Sequence, residues 1–175
     1  MLRASAARNG YDWLVVHQVA LSGSTCLVDL FTQSNSAEAS LASAAGSTDH
    51  ERVEARQAGA FLRALPGSPR VLKIDVEGHE ATVLTAASQW LADVRPATII
   101  FESHDYGRPF FDRPLIALLT ENGYQLAQLP KAKLRMRLVD LTSNADVGAG
   151  FDFVGMTAAT RAECAQLFDH RAGYP

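Results

Sequence analysis

The chain has 175 residues, 47% of them hydrophobic and 20% charged, which is the size and mix of one globular domain over 1–175 with a core of its own. A net charge of -3 and a pI near 5.9 exclude a basic nucleic-acid footprint, so small-molecule ligands are the expected partners. Cys26 and Cys164 show neither metal-ligand spacing nor a disulfide framework, Met1 to Arg8 lacks the apolar stretch of a signal peptide, and no apolar run is long enough to span a membrane, so a cytoplasmic location is expected.

Trp13 to Leu21 and Cys26 to Phe31 are strand-like runs on either side of Ser22-Gly23-Ser24-Thr25, and this turn chemistry predicts a β-hairpin. Residues 32–49 are rich in Ser, Ala and Asn and read as a surface loop. A short stretch at Arg52 to Ala55 leads into a helix over Gln57 to Leu65, where Ala60, Phe61, Ala64 and Leu65 share a face before Pro66-Gly67 ends the run. Val71 to Val76 reads as a strand. Glu80 to Val94 reads as one helix, with Val83, Leu84, Ala87, Trp90 and Leu91 on one side. Ala97 to Phe101 is a β-branched run of the kind buried in a parallel sheet, and Leu115 to Asn122 is a helix closed by Gly123. Strands are expected near Tyr124 to Leu129 and Phe151 to Met156, followed by a peripheral helical tail over 157–175. Strand and helix alternate as in an α/β sheet with crossover helices.

Ligands of open α/β sheets bind beyond the carboxyl ends of the strands, which directs attention to two polar strand ends. The first carries Asp75, Glu77, His79 and Glu80 around Gly78, and the second carries Glu102, Ser103, His104 and Asp105. If the two strands are neighbours, carboxylates and imidazoles meet along one edge. Each residue also has a plainer reading. Glu80 complements a helix N-terminus, Asp75 caps the following turn, His79 is a partly exposed first-turn residue, and His104 and Asp105 are solvated turn formers. Glu102 ends a buried apolar run and must find a partner or solvent. Trp90, Phe101, Phe151 and Phe153 are expected in the core.

The stretch Val71 to Ala87, VLKIDVEGHEATVLTAA, resembles the K-I-D-V-E-G-x-E-x-x-V-L signature of the FkbM methyltransferase family. The resemblance extends back to His17-Gln18-Val19-Ala20-Leu21-Ser22, similar to the family's third strand, and forward to Ile99-Ile100-Phe101-Glu102, similar to its fifth. It covers about Leu2 to about Gly155. It implies a Rossmann-like class I methyltransferase sheet and transfer of a methyl group from S-adenosylmethionine to a hydroxyl oxygen of a sugar or secondary metabolite. A carboxylate or imidazole at a strand end suits the proton transfer this requires. Asp75 and His79 are the expected pair nearest the reacting centre, Glu77 and Glu102 support them, and Ser103, His104 and Asp105 are expected to meet substrate. A divalent cation on Asp75 with Glu77 or Glu102 is an additional reading, although the sequence fixes no full ligand set.

Family members begin with a strand ending in D-x-G-A-x-x-G and a second strand ending in a ribose-binding acid, and neither pattern occurs in these residues. The close glycine pair Gly148 and Gly150 precedes a strand instead of following one, so no cofactor-binding residues are assigned. The expected fold is therefore a methyltransferase sheet truncated at its N-terminus, with weak or no cofactor binding by this chain alone. Without those strands the Val71 to Val76 edge is expected either to receive the hairpin or to stay open for a homodimer. A non-catalytic binding module of the same fold and a metal-assisted hydrolase using Asp75, Glu77, His79 and Glu102 are the alternative functions.

Overall fold

The structure is a computed structural model that describes residues 2–32, 39–40, 50–104, 107–130 and 137–168. The chain is α/β, with its strands in two sheets rather than one. Helix α1 (Leu2–Arg8) opens it. Strands β1 (Ala20–Ser22), β2 (Cys26–Thr32), β3 (Ala39–Ser40) and β4 (His50–Gln57) form a four-stranded sheet of order β1-β4-β2-β3.

The expected hairpin does not form. Strand β4 occupies the slot between the two runs, pairing parallel to β1 with Ala20 opposite Ala55, and antiparallel to β2 with Cys26 opposite the same Ala55. The turn at 22–25 reverses the chain as its residues suggest, but across the width of an intervening strand. Regular strand structure begins only at Ala20, so Trp13 to Val19 is not part of the sheet. Of the run read as a surface loop, Thr32, Ala39 and Ser40 lie in β2 and β3; the rest falls outside the described residues.

Helix α2 (Ala58–Ala64) follows β4 directly. Gln57 caps it by accepting a hydrogen bond from Ala60 N–H at 2.6 Å and donates through Nε2 to the Ala86 carbonyl, also at 2.6 Å. Gly59 makes this approach sterically feasible, since a Cβ there would lie 2.7 Å from the Ala86 carbonyl oxygen.

Strand β5 (Val71–Ile74), helices α3 (Glu80–Ala86) and α4 (Ser88–Val94), strand β6 (Thr98–Glu102), helix α5 (Pro114–Glu121), strands β7 (Gln125–Gln128), β8 (Val139–Leu141) and β9 (Asp152–Met156), and helix α6 (Ala158–Glu163) form the second half. Its sheet has the order β5-β6-β9-β7-β8. β5 and β6 are parallel neighbours joined through α3 and α4, the crossover unit of a Rossmann-like sheet, and β9 runs antiparallel between β6 and β7. The single helix expected over Glu80 to Val94 is two, because Ala87 leaves helical geometry at φ -100° and ψ 11°. All five residues assigned to its apolar face are nevertheless buried. Trp90, Phe101 and Phe153 join them in the main core, and Phe101 stacks on Phe153 with ring centroids 5.8 Å apart. Near the end of the described chain, Phe168 is 1% exposed and bridges to Leu138 in a second, smaller core.

Among the described residues β5 has a ladder partner on one side only, which is β6, and β1 likewise pairs only with β4. Among the described residues no strand pairs with the second edge of β5, and the expected hairpin is not docked there.

Candidate functional site

The signature segment builds a tight strand-to-helix turn. After Ile74 the chain passes through Glu77 at φ 50° and Gly78 at φ 89°, two successive left-handed residues, before entering α3. A Cβ at position 78 would meet no atom within 4 Å, so glycine is required there by backbone conformation rather than by space. Glu80, 3% exposed, reaches back from the first turn of α3, and its Oε1 accepts from Val76 N–H at 3.1 Å and Gly78 N–H at 3.3 Å. It ties the turn together through hydrogen bonds as well as by complementing the helix N-terminus. Gly78 and Glu80 of the signature thus serve the geometry, and half-buried Glu77 forms part of the left-handed turn and lines neither of the cavities described next.

Asp75 and His79 face a cavity of about 430 Å³ between the β5 edge and the four-stranded sheet. Leu21, Leu30, Leu62, Ile74 and Val83 supply much of its apolar wall, and its volume lies within the roughly 300–1,000 Å³ typical of small-molecule sites. His79 Nε2 lies 3.1 Å from Ser22 Oγ at the end of β1, so the imidazole joins the two sheets across the cavity rim. Asp75 pairs with Lys73 at 2.5 Å. This hydrogen bond, reinforced by the carboxylate's charge, raises the pKa of the exposed Lys73 ammonium above its usual value and keeps the group cationic.

Glu102, Ser103 and His104 line a second cavity of about 390 Å³, on whose border Gly78 and Glu80 also lie. Glu102 Oε2 and His104 Nε2 are 2.7 Å apart, and the His104 ring packs on Phe151 at 4.7 Å. Ser103 is buried and receives two hydrogen bonds from Arg113 Nη1, at 2.9 Å on its Oγ and 3.2 Å on its carbonyl oxygen. Arg108 also lines this cavity, and its carbonyl accepts a 3.4 Å hydrogen bond from Arg113 Nε.

The two strand ends are therefore neighbours, but their functional groups divide between two cavities separated by the Glu77-Gly78 turn. Asp75 and His79 are brought together, Glu102 faces the other side with Ser103 and His104, and Asp105 lies outside the described residues. Among the described residues no group of three or more His, Cys, Asp or Glu side chains could hold a metal ion, which leaves the hydrolase reading without a ligand set. Reading the strand ends alone overlooks Ser22, Lys73 and Arg113. Lys73 was detectable from its i, i+2 spacing to Asp75, which places both on one face of β5. Ser22 and Arg113 lie 57 and 10 residues from their partners, and no local pattern announces those contacts.

The family comparison agrees with the signature. A crystal structure of Methyltransferase FkbM from Methylobacillus flagellatus KT matches with 14% sequence identity and a TM-score of 0.44, over 88% of this chain and 31% of that one, so this chain spans about a third of that protein's length. No curated protein matches it. The family described as the Methyltransferase FkbM domain matches residues 4–126, well over half of the sequence and inclusive of the whole strand-turn-helix unit around Asp75 and His79, and the chain belongs to that family.

Proposed function

We propose that this chain carries the acceptor side of an S-adenosylmethionine-dependent methyl transfer, in which His79 takes the proton of a hydroxyl on a sugar or other small metabolite. The observation that carries this reading is the 3.1 Å approach of His79 Nε2 to Ser22 Oγ beside an apolar cavity. Nε2 has one lone pair, so it acts as general base toward an entering hydroxyl by exchanging Ser22 Oγ for it, with the ring already oriented by that contact. Ser22 fixes the direction of the ring, and Asp75 with its Lys73 partner provides a polar rim for orienting the acceptor. The small size and apolar walls of the cavity favour a compact ligand over a polymer.

The residues described do not by themselves fit the cofactor. Lys73 occupies the Asp75 carboxylate, Glu80 occupies the Val76 and Gly78 N–H groups, and these residues offer no glycine-rich turn followed by a ribose-binding acid. What the chain's own residues supply is a place for a hydroxyl and an acceptor for its proton. The same pairing supports a second reading, a binding module without transfer, because Asp75, Glu80 and Glu102 all have partners within the chain.

The test is transfer of label from methyl-labelled S-adenosylmethionine to a panel of hydroxylated metabolites. It is run with this chain and with the chain joined to any sequence its gene carries ahead of Met1. Transfer should occur and fall about 10²- to 10⁴-fold in His79→Gln. Undiminished transfer in that variant would place the base elsewhere, and no transfer in either form would favour the binding module.

A further inference from the structure

We infer that the cavity beside Glu102 is a binding site for a small monocarboxylate that carries a hydroxyl group, with Arg113 receiving the carboxylate and His104 the hydroxyl. This is binding, separate from the transfer proposed at His79, and it stands without that reading. The residues lining the cavity all lie between Gly78 and Leu115, so the turn into α3, the end of β6 and the start of α5 build it.

Its chemistry begins with an uncompensated cation. Arg113 is half-buried; its guanidinium donates through Nη1 to the Ser103 Oγ and carbonyl and through Nε to the Arg108 carbonyl, and lies 5.3 Å from the centre of the Phe110 ring. These partners hold the fork in place, but each is neutral, and Nη2 takes part in none of the bonds. The carboxylates that line the cavity are already engaged, Glu80 by the turn and Glu102 by His104. A guanidinium partly withdrawn from water without a counter-charge is a receptor for an oxyanion.

His104 supplies the second contact. A carboxylate only accepts hydrogen bonds, so Glu102 Oε2, 2.7 Å from Nε2, fixes the proton of the neutral imidazole on that nitrogen and leaves the Nδ1 lone pair to accept. The ring is held further by Phe151, 4.7 Å away. An acceptor beside an oxyanion receptor selects an anion that also carries a donor, and a hydroxyl is one. The Glu102 carboxylate repels a second negative charge in the same cavity, which favours a monocarboxylate over a phosphate dianion. Ala81, Pro114 and Leu115 supply an apolar surface for a short carbon skeleton, in a volume of about 390 Å³.

The test is amide chemical-shift mapping of the whole chain with lactate, with propionate, which lacks the hydroxyl, and with inorganic phosphate. Lactate should shift Ser103, His104 and Arg113 in a saturable titration, and propionate should bind at the same residues about 2- to 10-fold more weakly. Phosphate should bind more weakly than lactate. Arg113→Gln, checked by circular dichroism for an unchanged fold, should weaken lactate about tenfold or more. His104→Phe should bring lactate and propionate to equal affinity, a ratio that keeps the test decisive if Arg113→Gln does not fold. No saturable shift at these residues, phosphate binding tighter than lactate, undiminished binding in folded Arg113→Gln, or an unchanged ratio in His104→Phe would overturn the inference.

Discussion

In the five-stranded sheet Ile99, Phe101 and Phe153 are almost wholly removed from solvent, whereas Ala55 is the single buried residue among the described strand residues of the four-stranded sheet. Strand β4 carries charged side chains at four of its eight positions, and Leu27 of β2 is 64% exposed. The first sheet is held by its own core. The second depends on backbone pairing and on its attachment to α2 and α3 through Gln57, Gly59 and the His79–Ser22 contact. The signature segment lies where these two halves meet, so the candidate site combines a rigid wall with a weakly anchored one. Ligand sites often join a stable scaffold to an element that can shift.

Several substitutions would sharpen or break this contrast. The largest effect is expected for Phe153→Ala, which empties a fully packed position and should lower stability by about 3–5 kcal/mol in denaturant unfolding, while Leu27→Ala should stay within about 0.5 kcal/mol. Comparable losses for the two would mean that the halves are equally well packed. Next comes Glu80→Ala, which strands two backbone N–H groups of the turn and should cost about 2–3 kcal/mol. A thermal melt unchanged by that substitution would show the turn to be held by other contacts.

A smaller effect is expected at Tyr124, whose hydroxyl donates to the Pro96 carbonyl at 2.8 Å and whose burial pushes its pKa up to about 12. The folded chain keeps that proton at a pH where the unfolded chain, titrating near 10, loses it. The resulting stability is intact below about pH 10 and is lost as the pH rises through about 12. Tyr124→Phe should cost about 1 kcal/mol at neutral pH and flatten the alkaline limb of the stability profile. An identical alkaline limb in the variant would remove Tyr124 from the account. Without any substitution, amide hydrogen exchange should be faster in β1, β2 and β4 than in β6 and β9; equal protection would contradict the contrast directly.

The same contrast explains what the sequence made legible. β5, β6, α5, β7 and β9 were readable because their apolar patterns reflect burial in a real core, and the turn after β5 was readable from Gly78 and its neighbours. The four-stranded sheet was not. His50 to Gln57 carries polar or charged side chains at six of its eight positions, so the strand that separates β1 from β2 gave no hydrophobic signal. Local turn chemistry at Ser22 to Thr25 could not reveal a partner arriving some 25 residues later. β8 is three residues long, too short for periodicity to mark. At the site, Asp75, His79, Glu102 and His104 were all identifiable as polar groups at strand ends, but their division between two cavities depends on the left-handed turn at Glu77 and Gly78, which composition alone does not display.

The central claim is that the cavity beside β5, rather than the one beside Glu102, is where ligand chemistry takes place. The most direct measurement is amide chemical-shift mapping by nuclear magnetic resonance during titration with the same panel of hydroxylated metabolites, which detects even weak binding. The account predicts the largest perturbations at Ser22, Asp75, Val76 and His79. Perturbations confined to Glu102, Ser103, His104 and Arg108 would contradict it.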